Sequence, residues 1–356
     1  MRSSSPTPYL ASAVGPARFR VPATICSTNF CPTTLGEWLQ MGRVGLVLGA
    51  GGAVGHAFHA GVLAALEHER NWKPDSADVI IGTSAGSVVA ALIRAGCSAA
   101  DLANASLGEP LSPAGQALFE KIGPGADLPV PGVQRVDVWR GPAAAHLLRR
   151  PWGIRPGALG AALLPPGNVP SEAVAAGVRN IYGSAWPLKP TWVCAVRLDD
   201  GRLVVFGRPG SPPTSIADAV AASCAIPAYF TPVVIGGKRH VDGGVHSVTN
   251  ADQLADLDLD LVVVSCPMGS TRDGVTLGAD LPLRAAVQMR LAREAAAVRR
   301  AGIELVSFLP TAADRTAMGT NPMDVRRSKA VTRQAYESTV RRLKEANVRR
   351  RLAALG

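Results

Sequence analysis

The pentapeptide Gly82-Thr83-Ser84-Ala85-Gly86 constrains the fold more than any other part of the chain. The apolar run Val79–Ile81 precedes it and the apolar run Ser87–Ile93 follows it, which is the strand, turn and helix order of a nucleophile elbow. The two glycines let the strand and the helix approach each other, and the helix N-terminus offers N–H groups to an oxyanion. The pattern predicts that Ser84 is the nucleophile of an acyl-transfer hydrolase.

The rest of the chain alternates strand-like and helix-like runs, an order that predicts a mostly parallel sheet with helices on both faces. The strand-like runs are Val44–Leu48, Val79–Ile81, Trp192–Val196, Leu203–Phe206, Leu261–Ser265 and Ile303–Leu309. The helix-like runs are His56–Glu69, Ser84–Ala95, Thr214–Cys224, Leu283–Ala301 and Arg327–Leu355. Two further short runs flank Gly236-Gly237, which is a two-residue hairpin signal.

The composition is that of a globular protein with an aliphatic core, because 47% of the 356 residues are hydrophobic and only 5% are aromatic. The six cysteines are scattered without C-x-x-C pairing, so the sequence predicts neither a disulfide framework nor a zinc site. This usage indicates a reducing compartment, and we expect a cytoplasmic location. No motif calls for a metal or an organic cofactor.

The N-terminal residues 1–40 are rich in Ser, Thr and Pro and contain no continuous apolar run of signal-peptide length. We expect them to form a disordered extension. The first predicted strand starts just after Met41, which is therefore an alternative translation start to Met1. The hydrolase domain is expected to occupy residues 41–356.

The stretch from Val44 to Leu66 raises the question of a membrane span, because its 23 residues include no Asp, Glu, Lys or Arg. Its six glycines and two histidines, and the Gly-rich turn that divides its apolar residues, are untypical of a span. The sequence therefore favours a strand, a turn and a buried helix.

The alternation of strands and helices breaks down between about residues 108 and 170, where proline and glycine are frequent. An insertion after the elbow helix is typical of a cap over an acyl-binding cleft. A structural excursion without a direct role is an equal alternative on sequence alone.

Basic residues are concentrated near the C-terminus, where residues 325–356 hold ten Lys or Arg against two Glu in a chain of net charge +10. Apolar residues recur there at helical spacing, which predicts a basic amphipathic helix. The helix either makes peripheral contact with an anionic membrane or packs on the domain, and composition favours packing. No aromatic interleaving or nucleic-acid motif accompanies the charge, so we expect no nucleic-acid partner.

A nucleophilic serine needs a group that accepts its proton, and the candidates are the six histidines and Asp242. In a Ser-His-Asp hydrolase the histidine follows the acid on a late loop, yet no histidine occurs after His246, four residues beyond Asp242. Asp242 follows the second hairpin strand, and Gly243 and Gly244 permit a tight turn that aims its carboxylate. A desolvated carboxylate within hydrogen-bond reach of Ser84 can act directly as the general base.

A Gly-rich turn, Gly49–Gly55, lies between the first strand and the first helix and exposes successive N–H groups to an anion. Either a pyrophosphate or an oxyanion fits such a turn. Dinucleotide binding calls for an acidic residue at the end of the next strand, where this chain has Thr83 and Ser84 instead. The sequence therefore favours an oxyanion hole.

The Gly-rich turn, the G-T-S-A-G elbow and Asp242-Gly243-Gly244, in that order, resemble the patatin-like phospholipase family from about Arg43 to Ser265. The run Ala222–Pro232 looks like that family's approach to its D-G-G hairpin, and Asn250-Ala251-Asp252 is also similar. Three ordered motifs are more specific than any one of them.

The resemblance implies a three-layer α/β/α sandwich, a serine–aspartate dyad without a catalytic histidine, a lipid ester as substrate and no cofactor. In such an enzyme Ser84 would attack the ester carbonyl and Asp242 would accept its proton. The N–H groups of Gly51, Gly52 and Ala53 would stabilise the oxyanion.

One departure from the family concerns the Gly-rich turn, where the family usually has Arg or Lys and this chain has Val54. Loss of that cation is expected to weaken the electrostatic help given to the oxyanion or to a lipid headgroup. His56 or His59 is a candidate replacement, although a helix histidine is more often a packing residue.

Three functions are compatible with these motifs. The leading one is a lipid acyl hydrolase acting on phospholipid or a related ester. The second is a soluble carboxylesterase whose base is His246 or another histidine, and the third is a catalytically silent lipid-binding or regulatory protein of the same fold. The intact Ser84 and Asp242 argue against the third function, whereas Val54 favours it.

Overall fold

The computed structural model describes residues 42–123, 167, 169–271 and 281–355, and a sheet of eight strands forms its centre. The strands are β1 (Val44–Leu48), β2 (Val79–Thr83), β3 (Thr191–Arg197), β4 (Leu203–Phe206), β5 (Val233–Ile235), β6 (Lys238–Asp242), β7 (Leu261–Ser265) and β8 (Glu304–Phe308). The α-helices are α1 (Gly52–Arg70), α2 (Ala85–Arg94), α3 (Ala99–Leu107), α4 (Pro113–Ile122), α5 (Glu172–Tyr182), α6 (Ile216–Ser223), α7 (Leu281–Arg300), α8 (Ala312–Met318), α9 (Ser328–Leu343) and α10 (Ala346–Arg351). Short 3-10 helices cover Pro74–Ser76, Gly243–Val245, Ala251–Leu254, Val325–Arg327 and Leu352–Leu355.

The strand order is β5-β6-β3-β2-β1-β7-β8, with β4 paired to β3. The pairs β3–β2, β2–β1, β1–β7 and β7–β8 are parallel, whereas β3–β4, β3–β6 and β5–β6 are antiparallel. The prediction of a mostly parallel sheet is therefore confirmed for its central strands. Because parallel strands align their carboxyl ends, the segments that follow β1, β2 and β7 meet at one edge of the sheet.

Helices cover both faces of the sheet, because successive residues of a strand point to opposite sides. Leu46 and Ile80 belong to a buried cluster that also contains side chains of α1, α2 and α9. Their strand neighbours Val47 and Ile81 pack in a second cluster with α7. This arrangement is the three-layer α/β/α sandwich expected from the sequence, and its core is aliphatic.

Most of the predicted elements are present within a residue or two of their expected ends. The hairpin turn has the expected glycines, Gly236 and Gly237, at positive φ of 57° and 71°. The uncharged stretch from Val44 to Leu66 folds as β1, the Gly-rich turn and most of α1. Within the described ranges, none of the helices combines the length and apolar character needed to cross a bilayer.

The prediction of one continuous helix over Arg327–Leu355 is wrong, since α9 ends at Leu343 and α10 begins at Ala346. Glu345 between them has extended backbone, with φ −65° and ψ 129°. After the break, Val348 and Leu352 are buried in the core.

Two expectations fall wholly or largely outside the described residues. They concern the N-terminal extension at residues 1–40 and the cap at about 108–170. Of the latter, the structure describes α4 and the residues up to Gly123, then Gly167 and the chain from Val169.

The basic C-terminal segment packs on the domain, because Val331, Ala335 and Leu343 of α9 are buried against α1. The two helix backbones approach closely at Gly61. A Cβ at this position would overlap the Thr332 carbonyl oxygen and would lie 2.8 Å from the Tyr336 nitrogen. The apolar face of α9 is therefore buried against the core.

The variant Gly61→Ala is expected to lower the free energy of unfolding by about 1–3 kcal/mol, because backbone atoms of α9 must move to admit the methyl group. Gly55→Ala in the same helix is the matched control, since its Cβ would approach the Pro267 side chain no closer than 3.4 Å. Urea denaturation followed by circular dichroism measures both values. Equal stability of the two variants would contradict the close packing of α1 on α9.

Candidate active site

Ser84 lies at the turn between β2 and α2 in a strained backbone conformation, with φ 53° and ψ −124°. A positive φ is uncommon for a residue with a side chain and costs on the order of 1–3 kcal/mol. The flanking glycines are required by space, because a Cβ at Gly86 would overlap the Leu48 carbonyl oxygen and one at Gly82 would lie 2.5 Å from the Ser87 Cα. Ser84 thus lies at a strained strand-to-helix turn between two glycines that the packing requires.

Two serines hold the strained peptide of Ser84 on either side. The Ser84 N–H donates to Ser223 Oγ at 2.9 Å, and the Ser223 hydroxyl donates to the Cys194 carbonyl at 2.7 Å. The Ser84 carbonyl accepts from the Ser87 N–H at 2.8 Å and from the Ser87 hydroxyl at 2.6 Å. Ser223 and Ser87 are both fully buried, so these bonds have no competition from water.

The edge of β3 brings Asp242 to Ser84. Thr83 at the end of β2 lies opposite Cys194, and Asp242 at the end of β6 lies opposite Ala195, the next residue of β3. β4 pairs with Cys194 and Ala195 along one edge of β3, so β2 and β6 both lie along its opposite edge. The carboxyl ends of β2 and β6 therefore meet there. The Ser84 hydroxyl lies beside the Asp242 carboxylate at this junction, close enough to lower the pKa of the carboxyl.

Asp242 is a buried carboxylate, with only 5% of its surface exposed. Burial raises its pKa to about 6, against the opposing effects of hydrogen bonds from the Gly244 N–H and the Ser84 hydroxyl. The Gly244 N–H lies 2.7 Å from Oδ1 and fixes the orientation of the carboxylate. Gly243 is required here because a Cβ would overlap the Cys194 carbonyl oxygen. At neutral pH this group is mostly ionised and able to accept a proton.

The segment Ser223–Ala225, at the C-terminal end of α6, contacts both Ser84 and Asp242. Its Cys224 thiol interacts with the Ser84 hydroxyl, and its Ala225 carbonyl accepts from the Asp242 N–H at 2.9 Å. Burial raises the pKa of Cys224, so this thiol stays neutral and does not compete as a nucleophile. The sequence singled out this run only by resemblance and assigned no role to Ser223 or Cys224.

The Gly-rich turn follows β1 at the same edge of the sheet as Ser84. The turn lies within contact distance of the D-G-G motif, because a Cβ at Gly244 would lie 3.6 Å from the Ala50 Cβ. α1 begins at Gly52, and none of the described residues accepts from the N–H groups of Gly51, Gly52 or Ala53. A helix N-terminus with unused N–H groups is suited to an anion.

The position that is basic in the family holds a buried apolar side chain here, because Val54 is 3% exposed and belongs to the core. Neither candidate histidine supplies a positive charge. Desolvation lowers the pKa of His56 to about 4 and that of His59 to about 3, so both are neutral at physiological pH.

His59 is a packing residue that holds the start of the Gly-rich turn. Its Nε2 lies 2.8 Å from the Gly49 carbonyl oxygen, which can only accept, and its Nδ1 lies 2.8 Å from Ser265 Oγ. Nε2 therefore carries the proton, and the Ser265 hydroxyl donates to Nδ1. These bonds agree with the prediction that His59 is a packing residue. They do not agree with the hypothesis that His59 replaces the missing cation.

His246, the alternative base, is hydrogen-bonded to Asn250 and not to Ser84. Its Nδ1 lies 2.8 Å from Asn250 Oδ1, while Asn250 Nδ2 donates to Thr83 Oγ1 at 3.0 Å and to the Ser247 carbonyl at 2.7 Å. Both N–H donors of Asn250 are used in these two bonds, and its Oδ1 can only accept. His246 Nδ1 therefore carries the proton and donates it to Asn250 Oδ1. Asn250 thereby fixes Thr83, the residue that precedes Ser84.

A buried glutamate anchors the loop that carries Asn250. Glu294 of α7 is 1% exposed and accepts from the Thr249 hydroxyl at 2.5 Å and from the Ala251 N–H at 3.0 Å. Arg290 Nε donates to Glu294 Oε1 at 2.8 Å and so compensates the charge of the glutamate. Across the described ranges, no group of three His, Cys, Asp or Glu side chains is placed to hold a metal ion.

The variant Ser223→Ala is expected to slow covalent labelling of Ser84 by a fluorophosphonate by about tenfold or more, because the buried Ser84 N–H loses its acceptor. Ser215→Ala is the matched control, since Ser215 caps the N-terminus of the same helix through the Asp218 N–H and does not contact the elbow. Both variants should lose about 1–2 kcal/mol of stability, but only Ser223→Ala should slow labelling. Equal labelling rates would show that Ser223 is only structural.

Comparison with solved structures finds weak similarity over most of the chain. VipD from Legionella pneumophila is 14% identical with a TM-score of 0.40, over 85% of this chain and 66% of that one. The type III effector ExoU is 18% identical with a TM-score of 0.36, over 87% and 53%. ExoU in its heterodimeric complex with SpcU, from Pseudomonas aeruginosa, is 18% identical with a TM-score of 0.35, over 88% of this chain and 52% of that one. The chain thus spans about half to two thirds of these proteins, and such low similarity carries no functional argument.

Comparison with family models gives a stronger result, although no curated protein matches the chain. The model of the patatin-like phospholipases matches residues 46–255, which is more than half of the chain. That range contains the Gly-rich turn, the elbow and the D-G-G motif. The chain therefore belongs to the patatin-like phospholipase family.

Proposed function

We propose that this protein is a serine hydrolase that cleaves acyl esters of lipids, with Ser84 as nucleophile and Asp242 as general base. The observation that carries the proposal is that the hydroxyl of a serine with a strained backbone lies beside a buried carboxylate whose pKa is raised to about 6. Such a base is ionised at neutral pH and close enough in pKa to the working pH to exchange a proton efficiently.

The reaction proceeds in two halves on these two residues. The Ser84 Oγ attacks the ester carbonyl carbon while Asp242 accepts the hydroxyl proton. Asp242 then delivers this proton to the departing alcohol, which leaves an acyl ester on Ser84. In the second half Asp242 takes a proton from a water molecule, whose oxygen attacks the acyl carbon. Asp242 then returns the proton to the departing Ser84 Oγ as its bond to the acyl carbon breaks, which releases the fatty acid and restores the enzyme.

The Gly-rich turn is the oxyanion hole of this mechanism. The negative charge of each tetrahedral intermediate is stabilised by the N–H groups of Gly51, Gly52 and Ala53 and by the N-terminus of α1. Since Val54 brings no cation, this stabilisation depends on backbone dipoles. Removing one such donor in other hydrolases costs about 10²–10³ in rate, so dipoles suffice for substantial catalysis.

The site favours this mechanism over a histidine-based esterase, because the Ser84 hydroxyl lies beside Asp242 whereas the His246 ring is hydrogen-bonded to Asn250. A silent lipid-binding protein would have no use for a strained Ser84 next to a costly buried carboxylate. We further place the enzyme in the cytoplasm. That assignment is supported by the free, buried thiols of Cys97, Cys194, Cys224 and Cys266.

Hydrolysis of p-nitrophenyl butyrate and of a phosphatidylcholine at pH 8 tests the proposal. Ser84→Ala and Asp242→Asn are each expected to lower kcat/KM by about 10²–10⁴, because each removes one half of the proton transfer. His246→Ala, the matched histidine control, should retain activity within a few-fold.

Two results would contradict the proposal. Loss of activity in His246→Ala with full activity in Asp242→Asn would identify a histidine base. No hydrolysis of either ester by the wild type, together with no fluorophosphonate labelling of Ser84, would identify a silent protein.

A further inference from the structure

A segment near the C-terminus crosses the Gly-rich turn. We call residues Gly319–Arg327 the strap. The Pro322 carbonyl accepts from the Val54 N–H at 3.0 Å. A Cβ at Gly52 would lie 2.6 Å from this carbonyl oxygen and 3.0 Å from the Met323 sulfur. The strap is therefore fixed directly beside the N–H groups of the proposed oxyanion hole.

Helix α9 follows the strap and runs parallel to α1. The Thr332 hydroxyl donates to the Ala57 carbonyl at 3.1 Å, and further along both helices Tyr336 Oη lies 2.8 Å from His68 Nδ1. Since the paired residues advance together, both helices begin at the same end of the molecule. The first turns of α9 thus lie at the end that carries the Gly-rich turn and Ser84.

The far end of the basic segment lies at the opposite edge of the sheet. Arg351 is 3.7 Å from Glu304, the first residue of β8, whose partner Leu261 is the first residue of β7. The amino ends of these parallel strands face away from Ser84. The 16 residues of α9 place about 24 Å between its two ends, at 1.5 Å per residue.

The near end exposes a basic surface with an apolar tip. Val325 on the strap is 68% exposed, and the Arg326 side chain is 86% exposed. Lys329 and Arg333 are exposed, and no acidic group in the described part of the chain pairs with them. Residues 324–333 contain four basic residues and one acidic residue, Asp324, which gives a net charge of +3.

We propose that Val325, Arg326, Lys329 and Arg333 form a docking face for an anionic phospholipid bilayer, which brings the Ser84 end of the protein to the lipid surface. This inference rests on the proposed lipid hydrolase function and names the partner of that site. Because the apolar face of α9 is buried on α1, the helix lies on the surface without inserting, and Val325 supplies the apolar contact.

The geometry separates this docking face from general basicity of the chain. A basic residue near an anionic membrane contributes about 1 kcal/mol, and the effect decays within a Debye length of about 8 Å at physiological ionic strength. Arg349 and Arg350 of α10 carry the same charge as Lys329 and Arg333 but lie beyond the far end of α9. They are therefore too distant to contribute when the Ser84 end faces the bilayer.

Vesicle binding tests the inference in a Ser84→Ala background, so that no lipid is cleaved. The vesicles are pure phosphatidylcholine or contain 30% phosphatidylglycerol, at about 0.15 M salt. The near variant, Lys329→Gln with Arg333→Gln, is expected to weaken binding to anionic vesicles about 30-fold. The far variant, Arg349→Gln with Arg350→Gln, has the same net charge and should change binding less than about threefold. Val325→Ser should weaken binding several-fold without any change of charge.

A second measurement separates docking from catalysis. With Ser84 intact, the near variant should hydrolyse soluble p-nitrophenyl butyrate like the wild type but cleave vesicle phospholipid more slowly. If the wild type cleaves no ester, the proposed function fails, while binding of the Ser84→Ala protein still tests the docking face.

Three outcomes would overturn the docking face. The first is equal loss of binding in the near and far variants, which would indicate diffuse attraction. The second is no preference for anionic over neutral vesicles. The third is binding of a short RNA or DNA duplex through Lys329 and Arg333 without vesicle binding, which would assign the surface to nucleic acid.

Discussion

The contact between Asp242 and Ser84 depends on how three strands meet at one edge of the sheet. β2 and β6 end opposite consecutive residues of β3. The register of the sheet therefore holds Asp242, the last residue of β6, next to Ser84, the first residue after β2. A slip of β6 by one residue would turn Asp242 to the other face of the sheet. The same packing excludes water from the carboxylate and raises its pKa to about 6. Position and proton affinity therefore have a single structural origin.

Two unfavourable features are concentrated at this junction, the positive φ of Ser84 and the buried carboxylate of Asp242. Each is offset locally by hydrogen bonds. The Ser84 N–H donates to Ser223, the Ser84 carbonyl accepts from Ser87, and the Gly244 N–H donates to the carboxylate. Folding alone gives no reason for such an arrangement, since an apolar residue at position 242 would avoid the desolvation cost. Strain and burial that coincide in two contacting residues are typical of a catalytic site.

Local sequence patterns predicted the parts of this structure that depend on neighbouring residues. The runs that form β1 and β7, the Gly236-Gly237 hairpin and the strand-to-helix turn at Ser84 all have short-range signals in residue type and spacing. The pairing of Ser84 with Asp242 was reached from the order of motifs, without any pattern that specifies their distance.

The remaining parts depend on contacts between residues far apart in the chain. Ser223 lies 139 residues from Ser84, and a single serine at the end of an alanine-rich helix gives no signal of its partner. The break before α10 was missed because helical spacing of apolar residues continues through it, although burial of Leu352 requires the chain to turn. The contact of Pro322 with the Gly-rich turn has no sequence signal at all.

The pH dependence of fluorophosphonate labelling of Ser84 tests the central claim most directly, because this reaction reports the base without substrate binding to a membrane. If Asp242 is the base, the rate rises about tenfold per pH unit below pH 6 and levels off above it, as the carboxylate with a pKa of about 6 becomes ionised. Asp242→Asn should remove this rise, and His246→Ala should leave it in place. A rise that persists in Asp242→Asn, or one that disappears in His246→Ala, would contradict the serine–aspartate dyad.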